Sequence, residues 1–364
     1  MDKFRTKIEE WDIFVIITLL CLIGLISLHS ASYTIKGLLN KDFAKSQFMW
    51  VLFSLLVVFF VLKYGYLKLL DKAYILFAVN IILLLLIFAV GKTRLGARRW
   101  LNMGFFFLQP SELFKITFIL ALSRYIADRE DKINNIFVFI IPLIAMLVPM
   151  ILIIKQPDLG TALTLLPIFF TVLFASGIKK RFLFTPFIGA IFASPFLWGM
   201  LRPYQKNRVF VFLNPNTDPL GAGYTVIQSK IAIGSGGLFG KGWMAGTQNK
   251  LNFLPERHTD FIFSVIGEEW GFLGAAVVVV LFLILFSRLL RIAETTSDTA
   301  GRLLVTGVVS LLCFHVIVNI AMVMGLMPAV GIPLPFLSYG GSNLVTVMFL
   351  ISMCESVRQR WKEF

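Results

Sequence analysis

The sequence predicts an all-α integral membrane protein with ten transmembrane helices and a large extracytoplasmic loop between helices 7 and 8. Three observations carry this expectation. Apolar residues make up 58% of the chain and charged residues 15%, the mean hydropathy is +0.84, and apolar runs long enough to span a bilayer recur from end to end. A soluble domain is about 45–50% apolar and about 25% charged. A chain of 364 residues cannot hide such an excess in one core, so lipid has to solvate much of its surface.

A span takes about 20 mostly apolar residues. The first expected span, near Trp11–Ser30, is too long for a cleavable signal and has further spans behind it. Ser46–Leu62 is short, and Ala73–Val90 is uninterrupted. Gln109–Ile126 carries Glu112 and Lys115. Ile136–Ile154, Leu159–Ile178, Phe182–Leu201, Phe261–Phe286, Leu303–Met327 and Ser342–Val357 follow. Residues 1–364 then form a single polytopic membrane domain, with 202–260 as its large outer loop. That loop has a turn signal at Asn214-Pro215-Asn216, a short interfacial helix over Ala222–Ile233, and a glycine-rich run from Gly234 to Gly242. Cys21, Cys313 and Cys354 all fall in apolar stretches and read as small buried hydrophobes.

The net charge of +14 sits in short loops beside apolar runs, where it sets topology and meets anionic lipid headgroups. No nucleic-acid module is present, and nucleic acid is not an expected partner. With both termini in the cytoplasm, every inside segment carries three cations: Lys3, Arg5, Lys7; Lys63, Lys68, Lys72; Arg124, Arg129, Lys132; Lys179, Lys180, Arg181; Arg288, Arg291, Arg302; and Arg358, Arg360, Lys362. Three outer segments run against the rule. They hold Lys36, Lys41 and Lys45; Lys92, Arg94, Arg98 and Arg99; and seven cations between Arg202 and Arg257. Cations kept on the outer face against the topology signal point to an anionic ligand there.

Charges inside spans are costly and mark function or fixed packing. Glu112 and Lys115 stand three apart, share a helix face and can pair. Glu268 and Glu269 follow Asp260 by eight and nine residues, and adjacent helix positions point different ways. Asp260 ends the outer loop where it enters a span; it either caps that helix or takes a proton from a sugar hydroxyl. His258, two residues earlier, is a candidate second base or metal ligand, although a lone His is more often neither. Asp158, in Gln156-Pro-Asp-Leu-Gly160, has the same choice between cap and contact. The glycine run follows no strand and is no nucleotide loop, although its amides and Lys241 can reach a diphosphate. With no GxxxxGK[ST] and no long cytoplasmic loop, any substrate must arrive already activated.

Taken in order, Gly96-Ala-Arg-Arg-Trp100, Gln109-Pro-Ser-Glu-Leu-Phe-Lys115, Gln156-Pro-Asp-Leu-Gly160, Gly234–Gly242, Leu254–Phe263 and Gly331–Gly341 resemble the SEDS family (shape, elongation, division and sporulation proteins) nearly end to end. Gly242-Trp243, Gly246-Thr-Gln248 and Phe253–Arg257 are closer to its elongation members than to its division members. The resemblance implies a ten-helix fold in the bacterial cytoplasmic membrane and a peptidoglycan glycosyltransferase acting on lipid II. It also implies a class B penicillin-binding protein as partner, alongside other proteins of the elongation complex. It places Asp260 at the family's essential acidic position and Trp100 at a functionally sensitive one.

The chemistry so implied is one inverting displacement: an acceptor sugar hydroxyl attacks the anomeric carbon of a donor carrying a polyprenyl diphosphate. Asp260 is the expected base. Arg98, Arg99, Trp100, Lys241, Lys115, Glu112 and Asp158 are the expected substrate contacts. A divalent cation, Mg or Mn, is the one candidate cofactor, and no ligand cluster fixes it. A lipid II flippase and a non-catalytic scaffold for wall synthases are the competing readings. An ion-coupled transporter lacks its usual internal repeat.

Overall fold

The computed structural model describes the chain apart from residues 1, 34–41, 95–96, 103, 105–106, 201–202, 219–220 and 362–364. It is mostly helical. Helices α1 (Asp2–Ser32), α2 (Phe43–Tyr64), α3 (Tyr66–Asp71) and α4 (Ala73–Val90) precede strands β1 (Lys92–Arg94), β2 (Ala97–Asn102) and β3 (Phe107–Leu108). Then come α5 (Pro110–Ala127), α6 (Ile136–Lys155), α7 (Leu159–Ala175), α8 (Lys180–Met200), α9 (Pro203–Leu213), α10 (Ala222–Gly236), α11 (Thr247–Lys250), α12 (Ile262–Thr295), α13 (Thr299–Val323) and α14 (Gly341–Trp361).

Among the described residues, six helices are long and apolar enough to cross a membrane: α1 over Asp12–Ser32, α2, α4, α6, α12 and α13. The protein is a multi-pass membrane protein. Helices α5, α7, α8 and α14 occupy the remaining expected spans. Of these, α7 has 17 residues, α5 carries Glu112, Lys115 and Arg124, and α14 ends in Arg358 and Arg360.

The stretch between α4 and α5 departs from an all-helical chain. It forms a small antiparallel sheet in the order β1-β2-β3, with Lys92 opposite Trp100, Thr93 opposite Arg98 and Leu101 opposite Leu108. Strands of two to six residues carry too little alternation to stand out from a charged loop. The segment between α8 and α12 also holds more helix than its sequence suggests. The expected helix extends to Gly236 as α10, and α9 precedes it. The Asn214 signal forms a 3-10 turn in which the Asn214 side chain accepts from the Asn216 amide at 3.1 Å.

The chain clusters into two compact units. The first comprises Met1–Phe53, Leu201–Arg288 and His315–Leu344. Here the 331–341 segment is packed without gaps: a side chain on Gly24 of α1 would lie 2.8 Å from the Leu337 Cα, and one on Gly341 would enter the Trp50 ring. The second unit comprises Ser54–Met200, Leu289–Phe314 and Val345–Phe364. Its centre is α5, which packs against α4 and α7 and buries Phe114, Phe118, Ile119 and Leu120. A side chain on Gly307 of α13 would lie 3.1 Å from Val172 and 3.2 Å from Ile119, tighter than ordinary contact; its absence permits the close approach that small residues allow between membrane helices.

Candidate active site

In the first unit, the chain enters α12 through Arg257-His-Thr-Asp260, and three successive carbonyls there are held from outside. The His258 carbonyl accepts from the Tyr339 amide at 2.8 Å, that of Thr259 from the Ser338 hydroxyl at 2.6 Å, and that of Asp260 from the Asn319 amide at 2.9 Å. The same Asn319 nitrogen reaches the Ile332 carbonyl at 2.7 Å. Ser338 Oγ accepts from the Leu334 amide at 2.8 Å, and Gln47 bonds both the Ser338 carbonyl and the Gly340 amide at 3.2 Å. Gly331, at φ 75°, has no side chain where one would lie 3.3 Å from Asp260 Oδ2. Asp260 is half-buried. The helix proper begins two residues later, at Ile262.

His258 is drawn into an aromatic cluster: its ring stacks on Phe43 at 3.9 Å between centroids, Phe43 stands edge-on to Tyr339, and the His258 and Tyr339 rings lie tilted to each other at 6.0 Å. Its Nε2 lies 3.6 Å from Glu256 Oε2. Arg257 is buried and donates to the carbonyls of Ala31 and Asn249, each at 2.8 Å, and to Asn252 Oδ1. Burial pulls its guanidinium pKa below the ordinary range. An open pocket of about 270 Å³ is lined by Phe43, Asn252, Leu254, Pro255, Glu256, Arg257 and His258; Asp260 stands beside this stretch rather than in the lining.

The glycine-rich run docks backbone to backbone on α12. That helix breaks at Gly271, with φ 67° and ψ −161°, which frees peptide groups on both sides of the break. The Lys241 and Gly242 amides donate to the Glu268 and Glu269 carbonyls at 3.0 Å, and the Phe272 and Leu273 amides donate to the Gly237 and Leu238 carbonyls at 2.9 and 3.1 Å. A side chain on Gly240 would collide with the Glu269 carbonyl at 2.1 Å, and one on Gly236 with that of Gly267 at 2.0 Å. The glycines serve this approach, and the Lys241 and Gly242 amides are spent on it.

Both glutamates of the adjacent pair are buried. Glu268 Oε1 accepts from Lys241 Nζ at 2.8 Å, Thr247 Oγ1 at 3.1 Å and the Gln248 amide at 3.0 Å. Glu269 Oε1 accepts from Ser30 of α1 at 2.5 Å. Neighbouring positions do point apart, as expected, but one holds the 241–248 stretch and the other holds α1.

The second unit gathers three more of the sequence motifs. Asp158 Oδ1 accepts the Thr161 amide at 3.4 Å, capping α7. Its Oδ2 accepts from Gln109 Nε2 at 3.0 Å and Ser111 Oγ at 3.4 Å, and Arg99 Nη1 lies 3.6 Å from Oδ1. Arg99 also donates to the Gln156 carbonyl at 3.3 Å and to that of Pro157. The Arg98 side chain lies outside the described residues, and Trp100 is half-buried on β2. Lys115 Nζ meets Glu112 Oε1 at 2.7 Å, with side chains 1% and 7% exposed. Among the described residues, no three His, Cys, Asp or Glu side chains converge to hold a metal ion.

Sequence reasoning missed Asn319, Ser338, Gln47 and Arg257 as positioning groups. Ser338 and Arg257 lie within motifs already singled out, whereas Asn319 and Gln47 look like ordinary polar residues of apolar helices.

The Glu112–Lys115 pair yields a thermodynamic prediction. Removing one partner strands a buried charge, typically at a cost of about 3–5 kcal/mol. Either single alanine variant should lower the unfolding midpoint in detergent, and the double variant should lose less than the sum of the two. Additive losses would show that the pair does not couple.

The model of the FtsW/RodA/SpoVE cell cycle protein family matches residues 10–363. Over 274 residues, covering 75% of this chain and 74% of the relative, the sequence is 45% identical to the peptidoglycan glycosyltransferase MrdB of Escherichia coli strain K12. It is 33% identical to the peptidoglycan glycosyltransferase RodA of Treponema pallidum strain Nichols, over 97% of this chain and 98% of that one. A solved chain from work on the structural coordination of polymerization and crosslinking by a peptidoglycan synthase complex superposes with a TM-score of 0.83 at 32% identity, covering 97% of this chain and 98% of its own. The motifs, the helical membrane fold and this breadth of similarity together establish that the chain belongs to the FtsW/RodA/SpoVE family.

Proposed function

We propose that the chain is a peptidoglycan glycosyltransferase that polymerises lipid II into β-1,4-linked glycan strands during cell elongation, with Asp260 as its general base. The observation that carries the assignment of Asp260 is the set of three held carbonyls at His258, Thr259 and Asp260. A cap needs only its own helix; here two other segments fix the backbone that carries the carboxylate. Asp260 accepts the proton of the acceptor hydroxyl as that oxygen attacks the donor's anomeric carbon. The polyprenyl diphosphate leaves from the opposite face, so configuration inverts in one step without a sugar–enzyme intermediate.

Arg98, Arg99 and Lys241 are the proposed contacts of the diphosphate, with Lys241 sharing its charge with Glu268. Trp100, Asp158, Glu112 and Lys115 are proposed to shape and hold the substrate-binding face. All ten expected spans are proposed to cross the cytoplasmic membrane of a bacterium, with both termini inside and 202–260 outside within a single polytopic domain. A class B penicillin-binding protein and other elongation proteins are the proposed partners. A flippase or a scaffold needs no carboxylate fixed in this way.

The topology predicts opposite-side labelling of cysteines placed at Leu251 and Thr295, both exposed; labelling of both from one side would overturn it. Asp260→Asn keeps the shape but takes no proton at neutral pH. General bases contribute about 10²–10⁴-fold in rate. The purified variant should fold, bind lipid II and bind its partner, yet make almost no polymer. Polymerisation near the wild-type rate would end the general-base assignment.

A further inference from the structure

The 237–243 loop ends in side chains that a watery outer loop would not expose. Leu238 is 63% and Phe239 79% exposed, beside Phe272 at 65% and Leu273 at 50% on α12. The four make one continuous apolar patch, because the backbone of the loop is bonded to that of the helix at Phe272 and Leu273.

The depth of the patch follows from α12. Arg288, paired with Asp12 at 3.0 Å, marks one edge of the hydrocarbon layer, since a charge there is costly any deeper. At 1.5 Å per residue, Phe272 lies about 24 Å from that level, and Leu273 about 22 Å, inside a layer about 30 Å thick. Glu268 and Glu269, which receive the Lys241 and Gly242 amides, lie beyond the break at Gly271, farther from Arg288 and towards the opposite edge.

The loop therefore dips below the edge at Gly237 and Leu238 and returns to it by Lys241. Its composition suits that path. The descending carbonyls and returning amides are satisfied by the broken helix, as hydrocarbon requires of any non-helical backbone. The ammonium of Lys241 is matched by Glu268, and Trp243, 56% exposed, stands at the level where indole rings prefer to sit.

We infer that residues 237–243 form a re-entrant segment whose tip, Leu238 and Phe239, sits among the lipid tails of the leaflet at which α12 begins. The partner of this surface is bulk phospholipid hydrocarbon.

Nitroxide labels attached to single cysteines at Phe239, Phe272 and Leu251, in a chain freed of Cys21, Cys313 and Cys354, test this in phosphatidylcholine–phosphatidylglycerol liposomes. Collisions with oxygen and with a water-soluble nickel chelate report depth. The label at Phe239 should match that at Phe272, with oxygen collisions raised and nickel collisions lowered relative to Leu251. A Phe239 label as open to nickel as the Leu251 label would overturn the inference.

A second readout leaves the cysteines and the loop tip untouched. The Trp243 share of the fluorescence, taken as wild type minus Trp243→Phe, should be quenched more by lipids brominated near the headgroup than by lipids brominated near the chain end. Absence of quenching by either lipid would place the loop in water and overturn the inference by itself.

Discussion

One side-chain amide carries much of the first unit. Asn319, fully buried in α13, gives its nitrogen to both the Asp260 and the Ile332 carbonyls. It thereby joins the entry of α12 to the 331–341 segment, and Ser338 and the Tyr339 amide repeat that join one and two residues earlier. A buried carbonyl left without a donor costs about 1–3 kcal/mol, so these three bonds hold the backbone in one register. The carboxylate of Asp260 inherits that register. The 331–341 segment is itself anchored, by Gln47 and by the absence of side chains at Gly24 and Gly341.

The break in α12 works with the same economy. A continuous helix would consume the Glu268 and Glu269 carbonyls and the Phe272 and Leu273 amides internally. Gly271 releases them, and the glycine-rich run takes them up strand-like along its backbone. Buried Glu268 then gathers the Lys241 ammonium, the Thr247 hydroxyl and the Gln248 amide, so the 241–248 stretch is tied to the helix that Asp260 precedes. Glycine is required at 240 and 271 because a positive φ coincides with backbone contact there.

Much of this was legible beforehand, for physical reasons. Apolar runs of span length announce membrane helices because hydrocarbon tolerates little else, and each expected span coincides with a helix. The Glu112–Lys115 contact followed from helical spacing, and the Asp158 cap from its place before α7. What stayed hidden depends on contacts distant in sequence. Asn319 lies 59 residues from Asp260, and Gln47 lies 291 from Ser338; neither has a local signature. The Gly234–Gly242 run stood out, but its partner, the interrupted helix around Gly271, did not, because a glycine in an apolar run reads as ordinary membrane-helix composition. The short strands at 92–108 escaped for want of length.

The central claim is that the 331–341 segment serves catalysis by holding Asp260. Its most direct test is a double-mutant cycle on the turnover rate of purified protein with lipid II, using Ser338→Ala and Asp260→Asn. Ser338→Ala removes the donor to the Thr259 carbonyl. On the wild-type background it should lower the maximal rate while leaving the lipid II concentration for half-maximal rate unchanged. On the Asp260→Asn background it should cost nothing further, because the group it positions has already lost its function. Equal proportional losses on both backgrounds would show that Ser338 acts independently of Asp260 and would contradict the account.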